Sequence, residues 1–78
     1  MATIDTVRAV VLEGRPDLAA KFTPEAAVLG DLGLNSLEIA KMTVKLERAF
    51  GIDIPMETIH TLVTVTDVVR YIESHRAK

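Results

Sequence analysis

Cysteine is absent from this chain, so neither a disulfide nor a thiolate metal site can brace the fold. With 78 residues only a limited core can be buried and the stability margin is narrow, so each apolar face counts. No cluster of Lys or Arg occurs, and nine of them against eleven Asp and Glu leave a net charge of −2. That balance carries no electrostatic footprint of a nucleic-acid binder. No apolar run approaches the roughly 20 residues that cross a bilayer. The N-terminus also lacks the basic segment followed by an apolar one that marks a secretory signal. The expectation is one free-standing domain over residues 1–78, monomeric and cytoplasmic, with no nucleic-acid partner and no integral membrane segment.

The motifs of catalysis are missing as well. There is no GxGxxG, no P-loop, no HExxH and no GxSxG elbow around Ser36. His60 and His75 are too few and too far apart for a metal site, and Gly30 with Gly33 makes only a GxxG. Glu47 and Asp53 read as solvated carboxylates. No catalytic residue and no metal ligand is assigned.

What the chain does have is apolar content, 49% of its residues, too much for a disordered segment. Thr3 is a candidate cap for a first helix with Asp5 in its first turn. Ile4, Val7, Val10 and Val11 supply its buried stripe, and Gly14-Arg15-Pro16 ends it. From Arg15 to Leu34 the chain predicts a long loop, with a turn of helix over 17–22 and a local cap at Thr23-Pro24-Glu25. Leu18, Phe22, Val28, Leu29, Leu32 and Leu34 are too apolar for a free linker and are expected to tuck into the core. Gly30 and Gly33 allow sharp bends before Ser36.

A second helix is predicted over about 36–50. Leu37, Ala40 and Val44 form one apolar row on it, and Ile39, Met42 or Thr43, Leu46 and Phe50 form another. Such breadth predicts a helix that is central or that exposes apolar residues to a partner. Gly51 suits a left-handed C-cap, and Ile52-Asp53-Ile54 an extended segment before Pro55. A short helix follows over 56–61. The last helix is capped by Thr64 with Asp67 at N3 and carries Val65, Val68, Val69 and Ile72, ending near Tyr71-Ile72. At the start of the second helix, Asn35 is a good N-cap and Glu38 completes a capping box. Ser36 then occupies the first helical position. Local pattern leaves it open whether this serine is part of a cap or a point of attachment, where an added phosphate would meet the favourable field of a helix N-terminus.

The segment LGLNSLEIAKMTVKLERAFGIDIP, residues 32–55, closely resembles the acyl carrier protein signature. That signature has a leucine-glycine loop, an Asp-Ser-Leu triplet, an acidic-to-apolar helix, a phenylalanine and an Ile-Pro turn. The helix order along the whole chain resembles the family too. The resemblance implies an all-α four-helix bundle, three long helices plus a short one, and a carrier in place of a catalyst. It implies that a phosphopantetheinyl transferase attaches 4′-phosphopantetheine from coenzyme A to Ser36, and that acyl-loading and acyl-transferring enzymes then use its thiol. Recognition by these partners is expected at Asn35, Leu37, Glu38, Lys41, Val44, Glu47 and Met56. An acyl cavity is expected at Leu46, Ile54, Ile59, Leu62 and Val68, residues that otherwise read as ordinary core.

Two departures from the family pattern stand out. Asn35 replaces the usual Asp before the serine, which keeps the cap but removes a carboxylate that a transferase or its metal can contact. Lys41, Lys45 and Arg48 interrupt a helix that is strongly acidic in fatty-acid carriers, a hint of a dedicated lipid, polyketide or related pathway. Two other readings stay open. One is a carrier-like adaptor without the prosthetic group; the other is an unrelated helical regulator that binds another helix.

Overall fold

The stretches whose apolar residues recur at helical spacing are helices in the structure, a computed structural model that describes residues 2–76. The outermost residues of the expected 1–78 domain lie outside that range. α1 spans Thr3–Gly14, α2 Ser36–Phe50, α3 Met56–Ile59 and α4 Val65–His75. A single 3-10 turn, Pro16–Leu18, follows α1. Among the described residues the sole β feature is one isolated antiparallel bridge, Ala27 to Thr64. This is the expected all-α bundle of three longer helices and a short one.

α1 packs against both α2 and α4 through the buried Val7 and Val11, with Ile4 and Val10 half-buried beside them. Thr3 does not cap it. Ala2 takes the extended N-cap position without a side-chain bond, while Thr3 is buried and its Oγ1 accepts from Arg76 Nη1 at 3.3 Å. Its hydroxyl is thus spent on the far end of α4. The helix stops at Gly14 because Arg15, at φ −137° and ψ 71° ahead of Pro16, lies outside the helical region.

The connection from α1 to α2 is ordered by backbone bonds to the segment before α4. Val28 N–H donates to Val63 O at 2.8 Å, Val65 N–H to Ala26 O at 3.0 Å and Thr66 N–H to Pro24 O at 3.0 Å. Pro24 O also accepts from Thr66 Oγ1, and this pull toward α4 is why Thr23-Pro24-Glu25 forms a turn and not the expected helix start. The turn of helix expected over 17–22 is displaced to Pro16–Leu18, with Phe22 N–H still closing onto Leu18 O. Leu18, Phe22, Val28, Leu32 and Leu34 are buried as expected. Leu29 is not: it is 66% exposed, because the chain turns there and Val28 takes the inward direction. Of the two loop glycines, Gly33 alone has a positive φ, +65°.

In α2 the two apolar rows separate. Met42, Thr43 and Leu46 are buried, with Ile39 and Phe50 half-buried, while Leu37 and Val44 of the other row are 64% and 45% exposed. Gly51 caps the helix in the left-handed conformation, φ 66°, with its N–H on Glu47 O. Glu47 is not the solvated carboxylate expected of it. It is half-buried and accepts from Ile54 N–H at 2.8 Å, holding the extended segment whose Ile52 and Ile54 are buried.

α3 ends at Ile59, two residues before the expected Thr61, as Thr61 and Leu62 N–H close tighter turns onto Thr58 and Ile59. α4 starts with the expected capping box. Thr64 Oγ1 accepts from Asp67 N–H at 3.2 Å, and Asp67 Oδ2 accepts from the N–H groups of Thr64 and Val63 at 3.1 Å each. The helix runs past Tyr71-Ile72 to His75, whose ring stacks on Tyr71 at 4.0 Å, while the Tyr71 hydroxyl donates to Asp53 O.

Two predictions follow from this packing. Ile72, fully buried, should cost about 2–5 kcal/mol on truncation in Ile72→Ala, whereas the exposed Leu37→Ala should stay within about 0.5 kcal/mol; urea unfolding of both variants checks the contrast. The Thr64 and Val63 N–H groups hold the Asp67 carboxyl below the usual carboxylate range. Its contribution to stability is present above the unfolded-state pKa and is lost as pH falls through the lower folded-state value. Asp67→Asn should therefore flatten the acid limb of a melting-temperature profile, and an unchanged limb would contradict this.

Candidate functional site

The site is the start of α2, where sequence and backbone leave little freedom. Gly33 turns the chain, Leu34 anchors it in the core, and Asn35 adopts the extended N-cap conformation, φ −87° and ψ 175°. Asn35 Oδ1 accepts from Glu38 N–H at 2.8 Å, and Glu38 Oε1 accepts from Asn35 N–H at 3.1 Å. This is the expected capping box. Arg15 ties it to the end of α1: its Nη1 donates to both Glu38 oxygens at 3.2 Å, while Nε and Nη2 donate to Asp17 at 3.0 Å. The Asn35 N–H and then the Arg15 guanidinium hold the Glu38 carboxyl below its ordinary range, and the carboxylates of Asp17 and Glu38 raise the Arg15 pKa. The contact between α1 and Glu38 was not legible in the sequence, since it spans 23 positions and the intervening loop had no readable path.

Ser36 is exposed and stands on the rim of a cleft of about 270 Å³. Val28, Ile39, Met42, Ile59, Leu62 and Val68 line that cleft, with the exposed Leu29, Met56 and His60 also contributing. Three residues expected at an acyl cavity, Ile59, Leu62 and Val68, are among these. Leu46 and Ile54 are not; they are 0% and 3% exposed and packed in the core. Ile39 and Met42 were missed as lining residues because they read as core, although they stand three positions apart and so share a side of the helix. Val28 and Leu29 were hidden by the unreadable loop.

The residues expected to meet partners divide. Leu37, Lys41, Val44 and Met56 are exposed. Asn35 is exposed but engaged in the cap, and Glu38 and Glu47 are half-buried, held by Arg15 and by Ile54 N–H. Among the described residues no group of acidic, His or Cys side chains is arranged to hold a metal, and no helix is long and apolar enough to cross a membrane.

Residues 12–72 match the family described as the phosphopantetheine attachment site. The chain is 41% identical over 76 residues to the acyl carrier protein of Helicobacter pylori strain G27, covering 97% of both chains, and equally so to that of Helicobacter acinonychis strain Sheeba. Among solved structures, the apo doublet acyl carrier protein from prodigiosin biosynthesis shares the fold, with a TM-score of 0.67 at 24% identity. That alignment covers 97% of this chain and 38% of the doublet. Matching a family over most of its length, and relatives over nearly all of it, the chain belongs to the acyl carrier proteins, to which 4′-phosphopantetheine is covalently attached.

Proposed function

We propose that Ser36 is the attachment residue and that the chain is a non-catalytic carrier of acyl groups in a dedicated fatty-acid, lipid, polyketide or related pathway. The observation that supports this most is the state of the Ser36 hydroxyl. It is exposed at the first position of a 15-residue helix, on the rim of an apolar cleft, and has no hydrogen-bond partner among the described residues. Capping is done by Asn35, so Ser36 is free for other chemistry. The fit extends to charge, since unpaired N–H groups of the first helical turn favour an anion beside it.

In the proposed modification the Ser36 oxygen forms a bond to the phosphorus that bears the pantetheine arm in coenzyme A. The pyrophosphate bond breaks, 3′,5′-ADP leaves, and the serine proton passes to a base of the transferase. Once bound, the group supplies the thiol that holds acyl groups as thioesters. Ser36 tethers it at the mouth of the cleft, where Ile39, Met42, Ile59 and Val68 offer an apolar wall to a cargo chain. α3, at four residues, is too short to be stable by itself and is the element that can yield to admit one. Tethering keeps the cargo at high effective concentration for each partner enzyme in turn.

Intact mass after incubation with coenzyme A and a broad-specificity phosphopantetheinyl transferase tests the assignment. The expected result is a gain of one phosphopantetheine, lost in Ser36→Ala. Asn35→Asp should keep the cap and accelerate modification by restoring the carboxylate. A folded protein that gains no mass in either form, beside an active control carrier, would favour an adaptor without the group.

A further inference from the structure

On α2, Leu37, Lys41, Val44 and Arg48 follow the spacing i, i+4, i+7, i+11, which places them in one row. All four are exposed, and the row lies opposite the buried Met42 and Leu46. No carboxylate lies in it. The two glutamates of α2 stand to its sides and are committed within the molecule, Glu38 to Arg15 and Asn35, Glu47 to Ile54 N–H. Lys45, also beside the row, is paired with Glu13, whereas Lys41 and Arg48 have no ion pair among the described residues. Lys41, Val44 and Arg48 line a shallow groove with Ala40 and Lys45. The outward surface of a chain with net charge −2 is thus locally apolar and basic along the helix that begins with Ser36.

We propose that this row docks partner proteins presenting an apolar patch rimmed with carboxylates. The inference deepens the carrier reading and rests on it for the reason partners come to this helix. Charge complementarity selects the occupant. A second copy of the chain docked on the same face would set Lys41 and Arg48 against their own counterparts, and like charges opposed at an interface are costly. An anionic bilayer attracts a juxtaposed cluster of several basic residues; the two unpaired cations of this row, on a net-negative chain, fall short of that. A protein patch with a few carboxylates around an apolar centre complements the two cations and the two apolar side chains of the row. Enzymes whose docking surface is basic are correspondingly excluded by repulsion.

The test uses the whole protein, ¹⁵N-labelled, and two designed amphipathic helical peptides with the same leucine pattern, one flanked by Glu and the other by Lys. The acidic peptide should shift the amides of Leu37, Lys41, Val44 and Arg48, and its binding should weaken as salt rises. The doubly substituted Lys41→Glu, Arg48→Glu protein should lose that binding and gain the basic peptide, with its melting temperature near the unaltered value because both positions are exposed. Ser36→Ala should dock as the unaltered protein does, so failure to dock and failure to be modified are separate results. Equal binding of both peptides, shifts centred elsewhere, self-association that buries this row, or preferential binding to phosphatidylglycerol vesicles would each overturn the proposal.

Discussion

The constraint on which this fold depends is that the long connection over residues 15–35, with its several large apolar side chains, has to be buried without stranding its backbone polar groups. Buried N–H and C=O groups need partners, and a loop has no ladder of its own to supply them. Here the partners come from the segment before α4: Val63 O, and the N–H groups of Val65 and Thr66, pair with residues 24–28. With those bonds made, Phe22, Ala26, Val28 and Leu32 can enter the core and the loop becomes a packed layer. α4 in turn begins at a defined residue because Thr64 and Asp67 cap it in the same place.

That pinned layer is what delivers the chain to the start of α2. Leu32 and Leu34 are buried on either side of Gly33, so the direction of entry is set before Asn35 is reached. Arg15 then fastens the far end of α1 to Glu38, and the cap is held from both sides. Ser36 itself makes no contribution to this bracing, which leaves its oxygen outward while its backbone is fixed. On the proposed reading, the fixed mount of a free hydroxyl stands beside a cleft whose other wall is the short α3, the element that would yield to a cargo.

Much of this was legible in the sequence because it is local. The helices follow three- and four-residue apolar spacing, and the caps at Asn35, Gly51 and Thr64 depend on residues within a turn of one another. What was not legible is what tertiary contact decides. Thr3 looks like a cap and is buried against Arg76, 73 positions away. Thr23-Pro24-Glu25 has the local form of a helix start, yet Pro24 O is claimed by Thr66 across 42 positions. Leu29 and Val28 are equivalent by composition, and only the path of the chain decides which enters the core. At the site the same division holds: Ser36 and its cap could be read, while Ile39 and Met42 as cleft walls, and Glu47 as a brace for Ile54, needed the packing.

The substitution of Asn35 for the usual Asp has a physical consequence at the start of α2 on the proposed reading. A phosphodiester on Ser36 places a negative charge within one residue of the N-cap, and an aspartate there would repel it. Asparagine makes the same bond to Glu38 N–H without that charge. The remaining carboxylate of the turn, Glu38, shares the Arg15 guanidinium with Asp17, so its field is only partly offset. The first turn of α2 therefore presents unpaired N–H groups and one carboxylate fewer than an acidic cap would leave, an arrangement that favours the modified state more than such a cap would. The cost falls on recognition, since a transferase or metal that relies on an acidic residue before the serine finds a neutral amide. On that reading, stability of the modified product and speed of its formation are set against each other by one side chain.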